Sequence, residues 1–190
     1  MGLGVIGGGV AIALRDKAVT LQERVAAPLI LKKILEIDTV KHGKFGLDKG
    51  LFTTDFDSLM SDPEIDVVIE LIGGEHPAHE FISKALQVGK HVVTANKEVM
   101  AKHGYELLNI ARGNKVSLRF EASVGGGIPL IAPFQRDLVV NDILTIYGIL
   151  NGTTNYILTR MANDGLDFDV ALKQAQELGY AEADPSNDIE

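Results

Sequence analysis

The chain has 190 residues, 46% of them apolar and 23% charged, and 18 basic against 26 acidic side chains leave a net charge of −8. That is enough for one domain or one and a half with a packed core, and the acidic balance disfavours nucleic acid or anionic membrane as a partner. No stretch approaches the ~20 apolar residues that span a bilayer, residues 2–14 do not read as a signal peptide, and the absence of cysteine excludes disulfides, thiolate metal sites and cysteine nucleophiles, as expected of a cytoplasmic protein.

The first motif is GLGVIG at residues 2–7. Gly2, Gly4 and Gly7 have the spacing of a dinucleotide fingerprint, in which glycines permit a tight turn, close approach of a pyrophosphate and tight helix–strand contact. Leu3, Val5 and Ile6 complete the loop, and a helix N-terminus would face the phosphates. Such a motif follows a strand, yet only Met1 precedes Gly2. The expectation is a sheet without its first, central strand.

Residues 29–37 are rich in leucine and isoleucine and predict a strand ending at Asp38, whose carboxylate would take a ribose 2′-hydroxyl. Residues 66–72 predict a short buried strand closed by Gly73 and Gly74. Pro77 then opens a helix with Ala78, Phe81, Ile82, Ala85 and Leu86 on one face, stopped by Gly89. Residues 91–94 predict a strand, 105–112 a helix, and 116–120 another strand. Alternating units of this length imply right-handed crossovers and a mostly parallel, doubly wound α/β sheet of Rossmann type.

Beyond residue 121 the pattern changes. GGGIP at 125–129 leads into a helix-like segment ending near Leu138, residues 142–150 alternate like a strand, and NGTT at 151–154 opens a helix. Asp167 caps a last helix that Gly179 ends. The expected division is a nucleotide-binding domain over 1–121 and part of an α+β catalytic and dimerisation domain over 122–190. With no strand before Gly2 and too little chain after residue 121 to close a second core, the sequence reads as a fragment.

Three ordered segments carry a resemblance: EASVGGGIPL at 121–130, GILNGTTNYI at 148–157 and AQELGYAEADP at 175–185. Together with GKHVVTANK at 89–97 and the glycine loop, the chain resembles the front part of homoserine dehydrogenase. The resemblance implies an NAD(P)-dependent oxidoreductase that interconverts aspartate 4-semialdehyde and homoserine in amino-acid biosynthesis. Chemistry of this kind needs a cofactor platform, a cation or acid near the carbonyl oxygen, and groups that grip the amino-acid end.

The resemblance also implies roles for particular residues. Lys97 contacts the cofactor and lies near the substrate; a cation at a helix start opposes the helix dipole, which by itself asks for a reason. Glu182 binds the substrate ammonium through a charge-assisted hydrogen bond. Gly73, Gly152 and Thr154 join Gly2, Leu3, Gly4, Val5, Ile6, Gly7 and Asp38 around the cofactor, although Thr153 can equally be a plain N-cap. Glu121, Val124, Gly126 and Ile128 correspond to a sodium site of oxygen ligands, for which a glycine-rich hinge is an equal alternative. The proton-donating lysine lies beyond Glu190, so this chain alone is expected to be inactive, and the full-length parent to be a homodimer.

The cofactor is NADP(H) or NAD(H). Asp38 favours NAD, Ile37 stands where many relatives have an arginine suited to NADP, and Lys41, His42 and Lys44 could meet a 2′-phosphate instead; the preference stays open, with a slight tilt to NADP from the habit of the family. His76, His79 and His91 read as ordinary polar histidines, because no third metal ligand accompanies them. Two other readings stay open: a nicotinamide oxidoreductase of sugar dehydrogenase type, and a nucleotide-binding fragment without chemistry.

Overall fold

The computed structural model describes residues 1–38, 40, 43, 45–148 and 151–181. The chain divides into two compact units, Met1–Ser123 and Val124–Glu190.

In the first unit, helices α1 (Val5–Asp16) and α2 (Ala18–Val25) precede strands β1 (Ile34–Leu35) and β2 (Phe52–Thr53). There follow α3 (Phe56–Ser61), β3 (Val67–Glu70), α4 (Ala78–Gln87), β4 (His91–Thr94), α5 (Lys97–Gly113) and β5 (Leu118–Arg119). β1 and β2 pair in parallel, as do β3, β4 and β5 in that spatial order. No strand forms ahead of Gly2, yet its place is filled. The Met1 amino group donates to the Ile69 carbonyl at 2.6 Å, the Met1 carbonyl accepts from the Leu71 N–H at 2.9 Å, and the Gly2 N–H donates to the Leu35 carbonyl at 3.0 Å. Residues 1–2 thus join the two sheets into one parallel layer, ordered β2–β1–(1–2)–β3–β4–β5, which is the doubly wound arrangement.

β1 is short because little of its apolar run finds a neighbour. Of the run at 29–37 only Ile34 and Leu35 pair, opposite Phe52 and Thr53. β3 and β4 alternate outward and inward residues and pair over their full lengths. Ile82, Ala85 and Leu86 of α4 and Val99, Leu107 and Ala111 of α5 form the main core with Val68, Val92 and Leu118. A second cluster sets Leu3 and Ala11 beside Ile34, with Phe45, Leu51 and Phe52 around them. Gly89 ends α4 at φ +83°, a conformation that favours glycine. Lys90, beside it, is buried and donates to the carbonyls of Asp62 and Ile65 at 2.7 and 2.8 Å.

The second unit holds α6 (Gly152–Asp164) and α7 (Phe168–Glu177), preceded by a short π-helical turn, Pro133–Asp137. Ile157 packs against Ala171, Ala175 and Ala181. Asn151, not Thr153, caps α6: its side chain accepts from the Thr154 N–H at 2.9 Å. Thr153 is instead buried, and its hydroxyl donates to the Tyr180 carbonyl. The helix expected up to Leu138 is reduced to that turn and the residues just before it. The strand expected over 142–150 is not formed at 142–148, where the backbone is irregular; residues 149 and 150 lie outside the described residues. No helix among the described residues is long and apolar enough to cross a membrane.

Candidate active site

In a parallel layer the strands' C-terminal ends share one edge, and ligands settle there at the point where the winding reverses. Here that point lies between β1 and β3, where residues 1–2 run into the glycine loop. The glycines of the loop have three different surroundings. Gly2 has φ +82°, and a Cβ on it would stand 2.6 Å from the Leu71 carbonyl oxygen. A Cβ on Gly7 would collide with the Gly2 carbonyl oxygen, whereas one on Gly4 would meet nothing within 4 Å. Gly2 makes the turn, Gly7 lets helix and strand touch, and Gly4 leaves open space at the helix start.

Gly4 is also the N-cap of α1, without a side-chain capping bond and without an acidic residue in the first turn. A helix N-terminus of this kind presents backbone N–H groups and positive potential to an anion. Val5 and Ile6 are exposed on the first turn. Leu3 is buried, and its N–H donates to Glu36 Oε2 at 2.8 Å. Glu36 was not singled out from the sequence. Its other oxygen accepts from the Asp38 N–H at 2.9 Å, so this buried carboxylate ties the end of β1 to the glycine loop. Asp38 itself is exposed and accepts from the Val40 N–H at 3.0 Å. Lys41, His42 and Lys44 lie outside the described residues.

Two loops complete the edge. After β3, Gly73 and Gly74 both adopt positive φ, at 82° and 70°, and a Cβ on either would meet nothing within 4 Å. After β4, Asn96 caps α5 by accepting from the Val99 N–H at 3.0 Å, and its amide nitrogen donates to the Gly74 carbonyl at 2.7 Å. Lys97 is therefore the first residue of α5, exposed, with its helix start bound to the Gly73–Gly74 loop. Beneath both loops lies Glu70, fully buried. It accepts from the Ile72 N–H at 2.7 Å and from the Thr94 hydroxyl at 2.6 Å. The Met1 amino group is pushed down to about 6 by burial, while the Glu70 and Glu36 carboxylates pull it the other way.

The remaining candidates are more dispersed. Glu121 lies in a 3-10 turn, Glu121–Ser123, at the end of the first unit. Val124, Gly126 and Ile128 begin the second, where Gly125 and Gly127 flank Gly126 at φ 62° and 82°. Gly152 is the first residue of α6. Glu182 lies outside the described residues. His79 gains neighbours that the sequence did not show, His103 and Glu106 of α5. The two imidazoles stack with centroids 4.0 Å apart and planes 23° from parallel, so their in-plane lone pairs run side by side and do not converge on one point. His103 Nε2 is held at 2.7 Å by Glu75. The cluster is a polar contact between α4 and α5.

The sheet order, the three-way use of glycine and the bare helix start define a dinucleotide-binding protein of Rossmann type. The family model described as "Homoserine dehydrogenase, NAD binding domain" matches residues 2–121, and that described as "Homoserine dehydrogenase" matches residues 129–190. The homoserine dehydrogenase of Bacillus subtilis is 43% identical over 190 residues, which is all of this chain and 44% of that protein. A crystal structure of the Thiobacillus denitrificans homoserine dehydrogenase superposes with a TM-score of 0.91 at 44% identity, covering 100% of this chain and 44% of that one. A hyperthermophilic archaeal homoserine dehydrogenase in complex with NADPH gives 0.66 at 27% identity over 91% of this chain and 49% of that one. The chain belongs to the homoserine dehydrogenase family. It spans about 44% of the length of the B. subtilis relative.

Proposed function

We propose that this chain supplies the cofactor platform and the first part of the substrate-binding unit of an NAD(P)-dependent homoserine dehydrogenase, which interconverts aspartate 4-semialdehyde and homoserine. The observation that carries the reading is the glycine loop, with its open Gly4, on the same sheet edge as Lys97. The residues present fit a dinucleotide. The first turn of α1 would hold the pyrophosphate through backbone N–H groups, with Leu3 as buried floor, Asp38 near the ribose and Gly73 beside the nicotinamide end. When bound, the nicotinamide supplies the hydride acceptor or donor.

The chain's own residues do the rest. Lys97, a cation at the head of α5, stabilises negative charge developing on the carbonyl oxygen. Glu182 takes the substrate ammonium in a charge-assisted hydrogen bond, and the resemblance extends cofactor binding to Gly152 and Thr154 at the start of α6. The cofactor is NADP(H) or NAD(H), with a slight tilt to NADP(H) from the habit of the family. Sodium suits the oxygen donors of Glu121, Val124, Gly126 and Ile128, because hard cations take carboxylate and carbonyl ligands. The natural polypeptide is proposed to work in the cytoplasm as a homodimer, in keeping with a chain free of cysteine.

The test is homoserine-dependent reduction of NADP+ and NAD+ by the natural polypeptide that contains this sequence. Lys97→Met should lower kcat by about 10²–10³ while the protein still binds NADPH. Oxidation of sugars without oxidation of homoserine, or full turnover by the Lys97→Met variant, would overturn the reading.

A further inference from the structure

We propose that Glu70 is a positioning residue for the nicotinamide end of the crevice, acting through Thr94 and Asn96. It deepens the dehydrogenase reading above and rests on it. Glu70, Thr94 and Asn96 are all buried, at 0%, 0% and 6% exposure, so water does not compete for their hydrogen bonds. Their hydrogen bonds form one connected chain. Glu70 Oε1 accepts from the Ile72 N–H and Oε2 from the Thr94 hydroxyl. With its single proton committed to Glu70, the Thr94 oxygen accepts from the Asn96 N–H at 3.0 Å. Asn96 then spends its side-chain oxygen on the Val99 N–H and its side-chain nitrogen on the Gly74 carbonyl.

The chain of bonds has two outputs. One fixes the backbone at Ile72, just ahead of Gly73 and Gly74. The other fixes the first turn of α5, and with it the residue at its head, Lys97. A Rossmann sheet does not need this device, since β3 and β4 already pair through their backbones from Val67 and His91 to Glu70 and Thr94. An acid at the end of an apolar strand is costly to bury unless its oxygens are satisfied, and here both are. What Glu70 adds is a fixed relation between the loop after β3 and the cation after β4. Both of its oxygens act as acceptors, which a carboxylate provides and a carboxamide does not. In Glu70→Gln one position becomes a donor and faces either the Ile72 N–H or a Thr94 oxygen already bonded to Asn96.

The experiment uses the natural polypeptide carrying Glu70→Gln, Thr94→Val or Thr94→Ser. A misplacement of about 1 Å at a reacting centre costs about 10²-fold. Glu70→Gln and Thr94→Val should therefore each lower kcat by about 10- to 100-fold. KM for the cofactor should move by less than about threefold, because the pyrophosphate is held separately at α1. Thr94→Ser, which keeps the hydroxyl, should restore kcat to within about twofold. Hydrogen exchange without cofactor gives a second readout: the amides of Ile72, Asn96 and Val99 should lose protection in Glu70→Gln and Thr94→Val but not in Thr94→Ser. Folded Glu70→Gln and Thr94→Val proteins with wild-type kcat, or with unchanged protection at these amides, overturn the proposal. Should Glu70→Gln fail to fold, the Thr94 pair decides. Should the wild-type polypeptide not oxidise homoserine, the dehydrogenase reading fails while the exchange data still decide this one.

Discussion

Gly7 lies so close over Gly2 that a single added carbon on Gly7 would strike the Gly2 carbonyl oxygen. Gly4, between them in sequence, faces open space. The two positions should therefore respond in opposite ways. Gly7→Ala forces backbone apart and should cost about 1–3 kcal/mol, lowering the urea midpoint. Gly4→Ala, at an extended backbone angle, should cost only the difference between a glycine and an alanine N-cap, up to about 1 kcal/mol, yet weaken NADPH binding at least about tenfold, because the new methyl occupies the room a pyrophosphate needs. Equal stability losses in the two variants would contradict this division of labour.

Acid should weaken the contact between the β3–α4 loop and α5. Hydrogen bonds from Lys102, then His103, hold the Glu75 carboxyl down at about 2, against an ordinary value of 4.5. A carboxylate with a depressed value stabilises the fold fully above its unfolded value and ceases to do so as pH falls through its folded value. The contribution is thus complete above pH 4.5 and fades between about 4.5 and 2. Urea titrations at pH 5 and pH 3 should show a larger drop for the wild type than for Glu75→Gln.

Lys90 is placed to serve the scaffold and not the chemistry. Its ammonium is committed to the carbonyls of Asp62 and Ile65. Lys90→Met keeps most of the packed stem and removes the ammonium from both carbonyls, of which that of Asp62 still accepts from the Ile65 N–H at 3.3 Å; the loss should cost about 1–3 kcal/mol. NADPH affinity should stay unchanged, as measured by fluorescence titration.

In the second unit the Asn151 cap should be worth about 1 kcal/mol. Asn151→Ala should lower helix content and thermal midpoint, whereas Asn151→Asp should leave both nearly unchanged.

Where an element's pattern and its pairing partner coincide, the sequence was legible. β4 falls on 91–94 as expected, and α4 between Pro77 and Gly89, because both bury a periodic face against each other. The run at 29–37 looks like one long strand, yet only Ile34 and Leu35 take strand partners, with one further bond from the Glu36 N–H to the Thr53 carbonyl. Alternation at 142–148 likewise marks residues fit for a strand, but a strand needs a second one, and among the described residues this segment pairs with none. α2 and α3 carry too few buried residues to announce themselves.

The site followed a similar rule. Glycines declare themselves by spacing, so the loop at 2–7 was readable. Glu36 and Glu70 were not singled out, although each is an acid set between apolar neighbours, in ILEID and VVIEL. A carboxylate in such a run must find partners inside the fold, and that was the available signal. The contact of His79 with His103 could not be read, because it depends on how α4 lies against α5.

Residues 1–2 fill the gap between Leu35 and Ile69 with the loop at their far end. Anything attached upstream of Met1 must therefore leave along the line of the strand, through the floor of the layer. A fluorophore or affinity handle fixed there would sit on the side of the domain away from the nucleotide, leaving ligand titrations undisturbed.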